Sequence, residues 1–207
     1  LLDIQEGAGT NRSVLLTQRF DRLPSLEGPQ HMARIPYMSA MTALDLRDGD
    51  GGDWLDLAEY ARLAGCDLDE LWRRAVFGAA IGNCDDQLRN HGFLRGKKGW
   101  TLSPAFDINP EPYDPNMEDA HQMALFGDAN VTVDSLMRSE ALELFAVSQE
   151  KAVRWCRDFR AVLGRAKTLG SMRRLDARSV EIMGSRFEHA FDQVDAVIGK
   201  VRCNGEG

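Results

Sequence analysis

The chain has 207 residues, 43% hydrophobic and 28% charged, the balance of a soluble globular protein of one to two domains. Its 32 acidic against 25 basic side chains give a formal net charge of -7, which argues against the chain gripping nucleic acid by itself. No apolar run approaches the roughly 18–20 residues that span a bilayer. The opening Leu1-Leu2-Asp3-Ile4-Gln5-Glu6 has neither the basic start nor the apolar core of a secretory signal.

A chain that opens on Leu1 rather than Met reads as a fragment or a processed product. Cys66, Cys84, Cys156 and Cys203 are scattered with no CxxC pair, which suits reduced, buried thiols in a cytoplasm. No two Cys or His residues stand at zinc-finger spacing.

Residues 13–20 read as one strand, apolar and β-branched at the centre, and Pro24 ends it. Gly7-Ala8-Gly9 upstream and residues 24–36 read as loops. A short helix is expected over 39–46, then a turn at Asp48-Gly49-Asp50-Gly51-Gly52. Asp53 is placed to cap a helix over 54–63 that Gly65 closes. Asp67 is placed to cap the next helix, in which Leu68, Leu71, Trp72, Ala75, Val76, Ala79 and Ala80 form a core-facing stripe. Residues 82–116 break the regularity. Helix returns over 134–164 and 176–201, with Asp134 and Asp176 as caps, and the last four residues should fray. A polar, irregular segment between core helices needs partners for its backbone groups, so chemistry is sought there.

Asn83-Cys84-Asp85-Asp86-Gln87-Leu88-Arg89-Asn90 is followed by Ser103-Pro104-Ala105-Phe106-Asp107-Ile108. Phosphoryl transfer from ATP needs a carboxylate to orient the acceptor hydroxyl. It also needs an amide oxygen and a second carboxylate to hold Mg²⁺ against the phosphates. In protein kinases the first two stand five residues apart, and the metal carboxylate follows further on. Asp85 and Asn90 have that spacing, and Asp107 stands where the metal carboxylate belongs. Between them, 92–94 and 100–102 read as two strands of a hairpin that returns Asp107 beside Asn90. By spacing alone the three residues read as turn formers before they read as a catalytic set, since Asp, Asn and Gly dominate turns.

Arg19-Phe20-Asp21-Arg22, then Ile81-Gly82-Asn83-Cys84-Asp85-Asp86-Gln87-Leu88-Arg89-Asn90-His91, then Leu102-Ser103-Pro104-Ala105-Phe106-Asp107-Ile108 resemble the HipA-type serine/threonine kinases of bacterial toxin–antitoxin modules. Tyr37-Met38-Ser39-Ala40-Met41-Thr42 resembles the family's segment after the hinge, and the likeness runs from about residue 13 to 165. The resemblance implies a mainly α, protein-kinase-like large lobe, with a hinge strand and a small β-hairpin carrying the metal loop. Residues 1–22 would be the N-terminal segment and hinge strand, and 23–207 the helical lobe.

It also implies Asp85 as the catalytic carboxylate and Asn90 and Asp107 as Mg²⁺ ligands. ATP would be met by Gln18, Arg19 and Phe20 at the hinge, with Gln87 and Phe106 beside the phosphates and metal loop. Partners implied are a protein substrate, by analogy in the translation machinery, and a HipB-like antitoxin, with DNA reached only through that antitoxin.

Two positions depart from the family. Gln87 stands where His is usual and cannot carry charge, and Phe106 replaces a common Tyr. The first 12 residues cannot contain a kinase small lobe, so the chain reads as a large lobe cut from a longer protein. Gln87 and that missing lobe keep open a rival reading, a non-catalytic pseudokinase or interaction lobe. A helical scaffold with no nucleotide role is the third. The four Trp residues are expected in packing, His91 as a hydrogen-bonded turn residue, and the basic cluster around 165–174 as a solvated face.

Overall fold

The computed structural model describes residues 3–6, 13–23, 32–172 and 176–204. Strand β1 (Asp3–Glu6) pairs antiparallel with β2 (Ser13–Leu16), Ile4 opposite Leu15. The strand expected over 13–20 is therefore shorter, and residues 3–6 are a strand as well. Each half of this ladder is only four residues long, too short to show a period in sequence but sufficient once its partner supplies the hydrogen bonds. Gly7-Ala8-Gly9 lies outside the described residues.

A two-residue ladder joins β3 (Arg22–Leu23) to β4 (Ala33–Arg34) across the segment expected as loop, of which 24–31 lie outside the described residues. Strand β5 (Tyr37–Ser39) leads into α1 (Ala40–Ala43), where the Ser39 hydroxyl accepts from the Thr42 N–H. The helix expected over 39–46 stops after one turn, because Asp45 takes φ +55°. After β6 (Gly52–Asp53) come α2 (Trp54–Leu63) and α3 (Leu68–Ile81). Asp53 accepts from the Leu55 N–H and Asp67 from the Glu70 N–H, as the sequence leads one to expect.

The expected hairpin is present as β7 (Gly92–Gly96) and β8 (Gly99–Leu102), and β5 adds to its open edge in the order β5-β7-β8. Strand β9 (Met123–Ala124) then runs parallel to β6. The C-terminal body is α4 (Val133–Leu136), α5 (Ser139–Leu144), α6 (Gln149–Leu163), α7 (Ala166–Met172) and α8 (Ala177–Asn204). Asp176 caps α8 as expected, accepting from the Ser179 N–H. Asp134 does not cap α4. Thr132, extended at φ -120°, does so in a reciprocal pair with Ser135, while Asp134 takes an ion pair with Lys200.

The stripe of α3 packs on α4 and α8, burying Leu71, Trp72 and Val76 beside Leu57, Phe145 and Val194. Each such side chain contributes about 1.5–3 kcal/mol relative to exposure. Trp72 also donates its indole N–H to the Leu136 carbonyl at 3.0 Å, with Trp155 edge-on at 5.4 Å. Trp54 is buried and Trp100 packs at the core margin, so all four Trp residues serve packing. Cys156 is buried, and Cys66 and Cys84 are half-buried free thiols. Among the described residues no helix is long and apolar enough to cross a membrane.

Candidate active site

The catalytic-loop candidate begins where α3 must stop. Gly82 adopts φ +63°, a left-handed conformation that glycine enters without a Cβ penalty, and the Asn83 N–H closes the helix on the Gly78 carbonyl at 2.9 Å. From there exposure alternates. Asp85 and Arg89 are exposed and Gln87 half-buried, while Asp86, Leu88 and Asn90 are buried. Asp86 meets His91 Nε2 at 3.1 Å, and Trp54 stands edge-on to that ring at 4.9 Å. His91 is thus a bonded turn histidine, as expected. The loop is fastened to α1 by the Ala40 N–H on the His91 carbonyl and the Met41 N–H on the Leu88 carbonyl.

The segment expected to hold metal returns to this loop. The hairpin ends with the Ser103 N–H on the Gly92 carbonyl at 2.7 Å, and Arg74 donates to the Ser103 carbonyl. Beyond Phe106, Asp107 adopts φ +57°. Asn109 then makes two bonds: its N–H donates to Asn83 Oδ1 at 2.9 Å, and its side-chain amide donates to Asp107 Oδ1 at 3.0 Å. The Glu111 N–H adds a bond to the Gly82 carbonyl. Asp107 is exposed, and among the described residues its Oδ2 has no hydrogen-bond partner.

Asn90, 8% exposed, and Phe106 line one cavity of about 320 Å³ with Asn83, His91, Phe77 and Trp155. Asp85 and Asp107 are not in its lining. At the hinge candidate, the Phe20 ring lies 5.6 Å from Phe106 and 5.8 Å from Tyr37. Tyr37 in turn covers Gly92, where a Cβ would fall 2.3 Å from its ring. Gln18 and Arg19 are exposed, and Arg19 is engaged by Asp21, which it holds down to about pKa 2 by hydrogen bonding. The three candidate hinge residues are therefore divided: Phe20 packs on Phe106 of the segment expected to hold metal, and the side chains of Gln18 and Arg19 face solvent.

Two further residues reach this loop from a distance. Arg186 of α8 is 1% exposed. It pairs with both oxygens of Asp119 at 2.6 and 2.8 Å and donates to the Glu111 carbonyl at 2.7 Å. Its guanidinium fills the space beside Gly82, where a Cβ would lie 2.5 Å from it. Gln122 donates its backbone N–H to the Cys84 carbonyl at 3.0 Å and its side-chain amide to Asp85 Oδ1 at 2.6 Å. Burial, with the Asp119 and Glu111 carboxylates nearby, pushes the Cys84 thiol up to about 11. That thiol stays protonated and is no nucleophile at neutral pH.

Residues 2–166 match the family described as the HipA-like C-terminal domain. The chain belongs to that family. Its fold is similar to that of HipA from Shewanella oneidensis MR-1, solved with HipB and its operator DNA, with a TM-score of 0.67 at 15% sequence identity. The likeness covers 96% of this chain and 54% of that one, so this HipA-like chain spans about half the length of the Shewanella protein. No curated protein matches the sequence.

Within the HipA-like chain, spacing nominates Asp85, Asn90 and Asp107 as candidates, and resemblance adds Phe106. Neither nominates Asn109, Gln122 or Arg186. Asn83 stands inside the quoted motif, but its role as acceptor for the metal loop depends on a contact 26 residues away. Arg186 lies beyond the matched range and carries no local signal at all.

Proposed function

We propose that this chain is the large lobe of a HipA-like serine/threonine protein kinase, the toxin of a toxin–antitoxin module held by a HipB-like antitoxin. In this reading Asp85 orients a protein hydroxyl and accepts its proton as the ATP γ-phosphate is transferred. The observation that supports it is the pair of hydrogen bonds donated by Asn109, one from its main chain to Asn83 and one from its side chain to Asp107, which tie the segment after the hairpin to the catalytic-loop candidate.

The donor set fits Mg²⁺. That ion takes hard oxygen ligands, commonly one or two from protein with the rest from phosphate and water. Asn90 offers an amide oxygen and Asp107 a carboxylate oxygen left open beside Asn109. Among the described residues no group of three or more His, Cys, Asp or Glu could hold a metal ion by itself, so the nucleotide phosphates would complete the shell. Mg²⁺ bound there would offset the negative charge of the phosphates. Gln18 and Arg19 would meet adenine through the backbone, Phe20 and Phe106 would close the base side, and Gln87 would donate to phosphate.

Calorimetry of Mg-ATP and a radiolabelled phosphotransfer assay on the complete kinase test the reading. Asp85→Ala should abolish transfer and leave nucleotide binding intact, whereas Asp107→Ala should weaken both. Full transfer after Asp85→Ala would overturn the assignment. A second reading, a non-catalytic lobe that docks an antitoxin, is favoured by Gln87, which is neutral and half-buried where the family carries His. It predicts antitoxin binding with no phosphotransfer by the complete protein.

A further inference from the structure

Asp85 is exposed, and a carboxylate on an exposed loop rotates unless something holds it. Among the described residues the group that holds it is Gln122. Its amide donates to Asp85 Oδ1 at 2.6 Å, and its main-chain N–H donates to the carbonyl of the preceding residue, Cys84, at 3.0 Å. Two bonds to two consecutive residues fix both the position of the loop backbone and the rotation of the carboxylate about its Cβ–Cγ bond.

The base of this clamp is rigid. His121, next to Gln122, is buried, and its main-chain N–H donates to the Ala129 carbonyl at 2.9 Å. Met123, on the other side, is buried in β9. Asp119, three residues before, is fastened to Arg186. Residues 119–123 are therefore anchored at each end, and Gln122 is the member whose side chain turns back to the catalytic loop.

We propose that Gln122 is a positioning residue for Asp85, keeping Oδ1 occupied so that Oδ2 is presented to the substrate hydroxyl. The chemistry requires this. A single free oxygen in a fixed place accepts one proton along one line, whereas a freely turning carboxylate spends most of its time misaligned, and small misplacements cost rate steeply. Glutamine suits the task because its amide donates without carrying charge and takes no part in the proton transfer. The inference rests on the assignment of Asp85 given above.

The test is steady-state phosphotransfer by the complete kinase, comparing wild type, Asp85→Ala, Gln122→Ala and Gln122→Glu. Because Gln122 is exposed, neither substitution there should lower the melting temperature by more than a few degrees. Gln122→Ala should reduce kcat about tenfold to a hundredfold with KM for ATP within about twofold. Gln122→Glu, which sets a like charge against Asp85, should reduce it further. A purely structural role would change KM and stability instead. Full kcat in Gln122→Ala beside an inactive Asp85→Ala would overturn the positioning role alone. An active Asp85→Ala would overturn the functional assignment beneath it.

Discussion

Phe20 and Phe106 meet ring to ring at 5.6 Å, although one belongs to the segment leaving β2 and the other to the loop following the hairpin. Phe20 also touches Tyr37, so three aromatic rings run from the hinge candidate to the strand that adds to the hairpin. Aromatic pairs of this kind contribute about 0.5–1.5 kcal/mol beyond the area they bury. A double-mutant cycle of Phe20→Ala and Phe106→Ala, read by urea unfolding, should show a coupling of about that size. Strictly additive losses would mean that the hinge segment and metal loop are energetically independent.

Asp107 separates stability from function. Its φ of +57° is uncommon for a residue with a Cβ, and Asp tolerates it better than most. Asp107→Gly should leave the melting temperature within a few degrees of wild type, yet lower Mg-ATP affinity at least tenfold by deleting the proposed metal ligand. Asp107→Val, β-branched and without ligand atoms, should lose both affinity and stability. Calorimetry with thermal unfolding separates the three proteins.

Arg186 should govern acid stability. Its hydrogen bonds hold the Asp119 carboxyl below the usual carboxylate value. Such a group contributes stability above its unfolded pKa of about 3.9, and that contribution is lost as pH falls through the lower folded value. Arg186→Met should cost about 3 kcal/mol at pH 7 and flatten the fall in stability below about pH 4. Urea midpoints measured from pH 2.5 to 7 give both quantities. An unchanged acid slope would show that other carboxylates dominate it.

Gly82→Ala tests the same contact from the other side. A Cβ there would lie 2.5 Å from the guanidinium and would force φ +63° on an L side chain. A loss of at least about 2 kcal/mol is expected, with increased hydrogen exchange through the catalytic loop. Stability within about 0.5 kcal/mol of wild type would show that α8 yields at no cost.

The 207-residue chain taken alone should bind Mg-ATP weakly and turn over little. Kinases hold ATP between the hinge and metal loops on one side and a phosphate-covering loop with its lysine on the other. In the proposed reading the described residues supply the first set. Low-micromolar binding with turnover, measured by calorimetry and radiolabel on this chain, would contradict the large-lobe reading.

Helix caps and helix faces were legible in the sequence because they are local. Asp53, Asp67 and Asp176 each bond an N–H two or three residues on, and the α3 stripe follows from a 3.6-residue period. The hairpin was equally readable, since its turn and its two short apolar runs are contiguous. Where two caps competed within three residues, local reading chose Asp134 and the structure chose Thr132, because only Thr132 could exchange bonds with Ser135.

The candidate site divides along the same line. Sequence by itself supplied the candidate inventory: Asp85, Asn90 and Asp107, in an order and spacing that matches phosphoryl-transfer chemistry. Tertiary structure alone decided what holds them. Asn109 on Asn83, Gln122 on Asp85 and Arg186 against Gly82 all join residues remote from one another in the chain. No period or motif encodes such contacts. They exist because backbone N–H groups, side-chain amides and a buried guanidinium find partners where the chain brings them together, and only the packed fold determines which partners lie within reach.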